Sequence, residues 1–109
     1  MPDINFQQIS DKLKDEVTKL ALSSFNQYKN EAKADALKLL EELKVNLATW
    51  TLQLAEGKLS RDDFEFLVLG HKELVEMNAL KQAGLTLIKT DEFKNSLLRL
   101  ITKTIAGLI

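Results

Sequence analysis

Between Pro2 and Gly57 the chain carries neither proline nor glycine, and most residues there are Lys, Glu, Ala, Leu and Gln, all good helix formers. That stretch constrains the fold more than any other feature, because strands and turns need the punctuation it lacks. Its apolar residues are also spaced for a helix. Phe6, Val17, Tyr28, Leu39 and Trp50 recur at intervals of eleven, as do Ala21, Ala32, Leu43 and Leu54, and again Phe25, Ala36 and Leu47. Eleven residues in three turns is ~3.67 per turn, so the stripe stays on nearly one side of an undistorted α-helix. The spacing predicts one helix over about 5–56, roughly 75 Å long at 1.5 Å per residue. Its weakest point is the polar patch Asn26-Gln27-Tyr28-Lys29-Asn30, where the stripe drifts. A break near 26–30 is the alternative, and it gives a monomeric up-down four-helix bundle.

The segment from Glu56 to Asp63 closes this helix and opens the next. Gly57 fits a left-handed helix stop, and Ser60 fits an N-cap, with Asp62 and Asp63 in the first turn and Asp63 at the acid position of a capping box. The second helix is expected over about 61–88. Phe64, Leu67, Val68, His71, Leu74 and Val75 share one face, Glu65, Lys72 and Glu76 lie opposite, and a loosening is expected near Gly84. Thr90, followed by Asp91 and Glu92, offers a further N-cap. It opens an amphipathic helix over about 91–106, with Phe93, Leu97, Leu100, Ile101, Thr104, Ile105 and Leu108 on one face; the alternative is that Lys89-Thr90 lies inside a single helix over 61–106. The expected architecture is therefore all-α: a long antiparallel hairpin plus a C-terminal helix, in a single domain over 1–109. A stripe of ~75 Å is too long for the shorter partners to cover, so the bundle is expected to be completed by self-association.

Composition narrows the function. The 15 basic and 16 acidic residues leave a formal net charge of -1, which disfavours nucleic acid as a partner. With no cysteine, disulfides, thiolate metal sites and cysteine nucleophiles are excluded. The N-terminal residues lack the basic start and apolar run of a signal peptide, and cytoplasmic is the default location. The most apolar window, Leu97 to Ile109, is interrupted by Arg99 and Lys103 and falls short of the ~20 apolar residues needed to span a bilayer.

No catalytic constellation emerges. His71, the only histidine, has Leu67, Val68, Leu74 and Val75 at helical spacing and no carboxylate to orient it, so it reads as a packed histidine. Asp62, Asp63 and Glu65 are explained by the helix dipole. Glu41, Glu42, Glu73 and Glu76 lack the Glu-x-x-His partners of a bundle metal site. The glycines at 57, 70, 84 and 107 form no phosphate loop, and Ser23-Ser24 has no strand-turn setting for a nucleophile. No catalytic, cofactor-binding or metal-ligating residue is assigned.

What remains is a small non-catalytic helical assembly or interaction module acting through apolar helix faces. Tyr28, Leu39, Leu43, Leu47, Trp50, Leu54, Phe64, Leu67 and Leu74 are the candidate interface and core. The expected partner is a second copy, as dimer or higher oligomer, or a helical protein. The alternative is peripheral membrane or lipid binding through Phe93, Leu97, Leu100, Ile101, Ile105 and Leu108, helped by Arg99 and Lys103. The eleven-residue period is similar to that of the exchangeable lipid-surface helices of apolipoprotein-like proteins. The resemblance lies in periodicity over about half the chain, and it implies lipid binding. A carrier with a cavity between its helices is a third reading.

Overall fold

The first helix of the chain begins where Asn5 turns its side-chain oxygen back onto the amides of Gln7 and Gln8, at 3.1 and 3.4 Å. The computed structural model describes residues 5–25, 27–72 and 75–108, and among these it is all-α, without strands. Its helices are α1 (Phe6–Ser24), α2 (Lys29–Ala55), α3 (Arg61–Gly70), α4 (Asn78–Gln82) and α5 (Leu87–Leu108).

The expected continuous helix over 5–56 does not form. The hydroxyls of Ser23 and Ser24 both donate to the Leu20 carbonyl, at 3.1 and 2.6 Å, in competition with the helical ladder. Phe25 then goes extended, at φ -136° and ψ 138°, and α2 starts at Lys29 with no side-chain cap from Tyr28. Packing supplies the larger reason. The reversal lets Val17 and Ala21 of α1 and Ala32, Ala36, Leu39, Leu43 and Leu47 of α2 all be buried within one chain. Phe25 locks the elbow, its ring edge-on to Phe93 at 5.1 Å and to Tyr28 at 6.4 Å. The molecule measures 47 × 23 × 19 Å, with no rod of the expected length.

The corner at Gly57 forms as its sequence predicts. Gly57 has φ 77°, the Lys58 N–H donates to the Gln53 carbonyl at 2.8 Å, and the Gly57 N–H to the Leu54 carbonyl at 3.2 Å. These are the paired bonds of a Schellman stop. Ser60 Oγ accepts the Asp63 N–H at 3.0 Å and caps α3.

The helix expected over 61–88 is divided instead. α3 ends at Gly70, and Val75 and Met77 are buried in the following connection, so the chain gains core contact by leaving the helix there. After α4, Gly84 at φ 99° makes a second Schellman stop. The Leu85 N–H donates to the Leu80 carbonyl and the Gly84 N–H to the Lys81 carbonyl, both at 3.1 Å. Thr86, not Thr90, caps α5, its Oγ1 accepting the Lys89 N–H at 3.3 Å. Thr90 lies inside the helix, its hydroxyl donating to the Leu87 carbonyl at 2.8 Å. Thr90 has the acidic following residues that Thr86 lacks, yet Thr86 acts as the cap because it follows the Gly84 turn.

These segments make an up-down-up-down bundle whose third strut is split into α3 and α4. α1 packs along α2 and α5, and α5 packs against α3. Phe25 meets Phe93 at one end, while Lys12 and Glu16 share a groove with Leu100, Thr104 and Leu108 toward the other, so α1 and α5 are antiparallel. The core between the struts is fully buried at Leu13, Leu43, Leu47, Phe64, Met77, Leu97 and Ile101.

Candidate functional site

Most of the residues expected in the interface and core are interior. Leu39, Leu43, Leu47 and Phe64 are buried in the core, and Tyr28, Trp50 and Leu54 are partly buried against it. Leu67 is half-buried. Leu74 lies outside the described residues. The expected membrane face is likewise turned inward, with Phe93, Leu97, Ile101 and Ile105 buried and Leu100 packed against them, while Leu108 is exposed. Arg99 and Lys103 remain at the surface. Gly57, Ser60 and Asp63 form a structural corner.

His71 sits at the α3 C-cap, half-buried, its ring edge-on to Trp50 at 5.2 Å. Its Nε2 lies 3.5 Å from the Asn46 side-chain nitrogen. The partner that the sequence search sought along α3 thus comes from α2, as an amide and an indole, and it orients the ring without supplying an acid or a base. Among the described residues no group of three or more His, Cys, Asp or Glu is placed to hold a metal ion.

Two buried charged side chains escaped the sequence reading. Asp35, 3% exposed, accepts the Ala79 and Leu80 N–H groups at 3.0 and 2.8 Å. It caps α4 from across the bundle, which no spacing near position 35 could reveal. Lys94, 8% exposed, donates to the Lys72 carbonyl at 2.9 Å just past α3, where a cation suits the helix dipole. Its position near the apolar edge of α5 was the visible signal. Both act between elements of the fold.

Val45, Leu52, Phe66 and Leu108 are exposed at other places on the surface, and three further aliphatics lie at the end of the bundle where the α1–α2 elbow and the α4–α5 turn come together. Leu22, Leu87 and Ile88 are 42%, 63% and 73% exposed there. Phe25, Tyr28 and Leu85 are partly buried beneath. One groove is lined by Ser24, Phe25, Gln27, Tyr28, Leu85 and Lys89, and an adjoining one shares Ser24, Phe25 and Lys89 and continues to Glu92 and Ser96. Lys29, Lys81 and Lys89 are exposed, and the segments 22–30 and 81–90 contain no Asp or Glu. This end therefore combines exposed apolar side chains with like charge, which makes it the candidate site.

Comparisons with protein-family models, curated proteins and solved structures find no match. The fold and this end define an all-α bundle with an apolar tip bearing lysines. Among the described residues no helix is long and apolar enough to cross a membrane.

Proposed function

We propose that the protein is a small, non-catalytic helical interaction module that docks its tip onto a partner, while the stripes inside the bundle serve its own fold. One observation carries the reading: Leu87 and Ile88, consecutive at the start of α5, stand 63% and 73% exposed at the end that also presents Leu22. Isolated exposed aliphatics are ordinary, but several gathered on one end mark a contact. Lys29, Lys81 and Lys89 favour a partner that places acidic groups around an apolar contact, and an acidic helical protein fits best. A symmetric tip-to-tip dimer would bring these lysines together. Association with a second copy therefore needs the tip to meet a different, acidic part of that copy. The same lysines favour a second reading, an anionic membrane surface met by the tip instead of by the inward face of α5. A cytoplasmic setting goes with either reading.

Anilinonaphthalene sulfonate, an apolar dye with negative charge, tests the tip directly. The native protein should enhance its fluorescence, and Leu87→Ser with Ile88→Ser should remove the enhancement while leaving the far-UV circular dichroism unchanged. Light scattering at tens of micromolar and co-sedimentation with phosphatidylserine vesicles, on the same variants, separate a second copy from a bilayer. A native protein that leaves the dye dark, or dye binding indifferent to both substitutions, overturns the proposal.

A further inference from the structure

We infer that the groove between α3 and the C-terminal half of α5 is a binding site for a phosphate-bearing small anion, held by Arg61, Arg99 and Lys103. The groove has a volume of about 370 Å³ and is lined by Arg61, Glu65, Arg99, Thr102, Lys103 and Ala106. It lies at the opposite end of the bundle from the apolar tip, so the inference stands apart from the proposed function.

The arrangement is unusual for this chain. Acids and bases are nearly balanced overall, 16 against 15, yet three cations and a single carboxylate line this groove. All three cations are exposed, and among the described residues no carboxylate lies within ion-pair distance of them. Glu65 follows Arg61 by one turn, the weaker orientation for a pair along a helix, and no ion pair forms between them. Asp62 and Asp63 carry their charge at the start of α3 but do not line the groove.

Two independent elements bring the cations together. Arg61 is the first residue of α3, and Arg99 and Lys103 lie one turn apart on α5, which packs against it. The two guanidinium groups present planar forks that match phosphate oxygens, and the Lys103 ammonium adds a compact positive charge. The Thr102 hydroxyl donates to the Leu98 carbonyl at 2.9 Å, so its proton is committed within α5, and Ala106 is small and leaves room in the groove for the ligand. With a net charge of +2 on the lining, a phosphate dianion or a diphosphate is matched, whereas a carboxylate monoanion leaves half of it uncompensated.

Titration of the full chain with inorganic pyrophosphate at constant ionic strength, followed by amide chemical shifts, tests the site. Saturable shifts confined to residues 61–65 and 98–106 are expected, and acetate should not produce them. Arg61→Gln with Arg99→Gln should weaken binding by about tenfold or more, while Lys33→Gln on the exposed side of α2 should change nothing. These positions are exposed, so the amide spectrum of the variants should show the native fold. Vesicles containing phosphatidic acid separate the sources: retention that the arginine substitutions abolish assigns the phosphate to a lipid headgroup, and binding of pyrophosphate alone assigns it to a free ligand. Shifts that rise without saturation, that acetate reproduces, or that survive both arginine substitutions would refute the inference.

Discussion

Asp35→Ala should be among the most destabilising single substitutions outside the apolar core. The carboxylate is 3% exposed and accepts the Ala79 and Leu80 amides at 3.0 and 2.8 Å. α4 has five residues and no side-chain cap of its own, too few to hold a helix without outside support. Each hydrogen bond to a charged group contributes about 1.5–3 kcal/mol, and truncation leaves two amides of the α4 first turn without their partner. The loss should therefore come to roughly 3–5 kcal/mol, a large share of the ~5–15 kcal/mol that stabilises a domain of this size. Asp35→Asn keeps a neutral acceptor and should lose roughly half as much. Urea unfolding followed by circular dichroism gives the stability, and amide exchange at Ala79 and Leu80 gives the local effect. If Asp35→Ala falls within about 0.5 kcal/mol of the native protein, as ordinary surface substitutions do, and exchange at those amides is unchanged, the cap has been misjudged.

Gly57→Ala and Gly84→Ala should each cost about 1–2 kcal/mol in thermal or urea unfolding. An added Cβ meets nothing within 4 Å at either position, so the cost comes from the left-handed backbone alone. Thr51→Val should stabilise by about 1 kcal/mol, because the buried Thr51 hydroxyl has no hydrogen-bond partner among the described residues and valine keeps its shape; a loss measured by the same unfolding curves would mean the hydroxyl is satisfied in solution. Phe93→Ala should cost about 3–5 kcal/mol and loosen the α1–α2 elbow, read as faster exchange of the Ser24 and Phe25 amides, since Phe93 is 4% exposed and packs on Phe25.

Periodicity identified the inward face more reliably than it described the course of the chain. Val17, Leu39, Ala21, Ala32, Leu43, Ala36 and Leu47 of the eleven-residue columns are all buried, although the helix that should have carried them is divided at Phe25. A period records which side of each helix faces apolar surroundings, and both halves keep that side across the elbow. The reversal itself depends on Phe25 meeting Phe93, far away in sequence, and on serine hydroxyls competing for the Leu20 carbonyl. The corner at Gly57 was legible because its stop and cap are local. Gly84 was visible as a weak point, whereas the start of the short α4 that it ends is capped by Asp35, a tertiary contact with no local signature.

The candidate site was harder to read for a related reason. A stripe of leucines needs a covering surface, and sequence alone does not state whether that surface belongs to the same chain or to another. Once the elbow between α1 and α2 turns α1 back along α2, the stripe becomes the core and needs no second chain to cover it. The proposed docking then uses what the core leaves outside. Leu87 and Ile88 fell in the stretch assigned to the end of the second helix, before the expected Thr90 cap, where an exposed aliphatic pair could not be told from one more helical turn. The cap at Thr86 places them on the first turn of α5 at the bundle end, exposed. Moving that cap by one turn therefore converts two unremarkable residues of a helix end into the centre of the proposed docking surface.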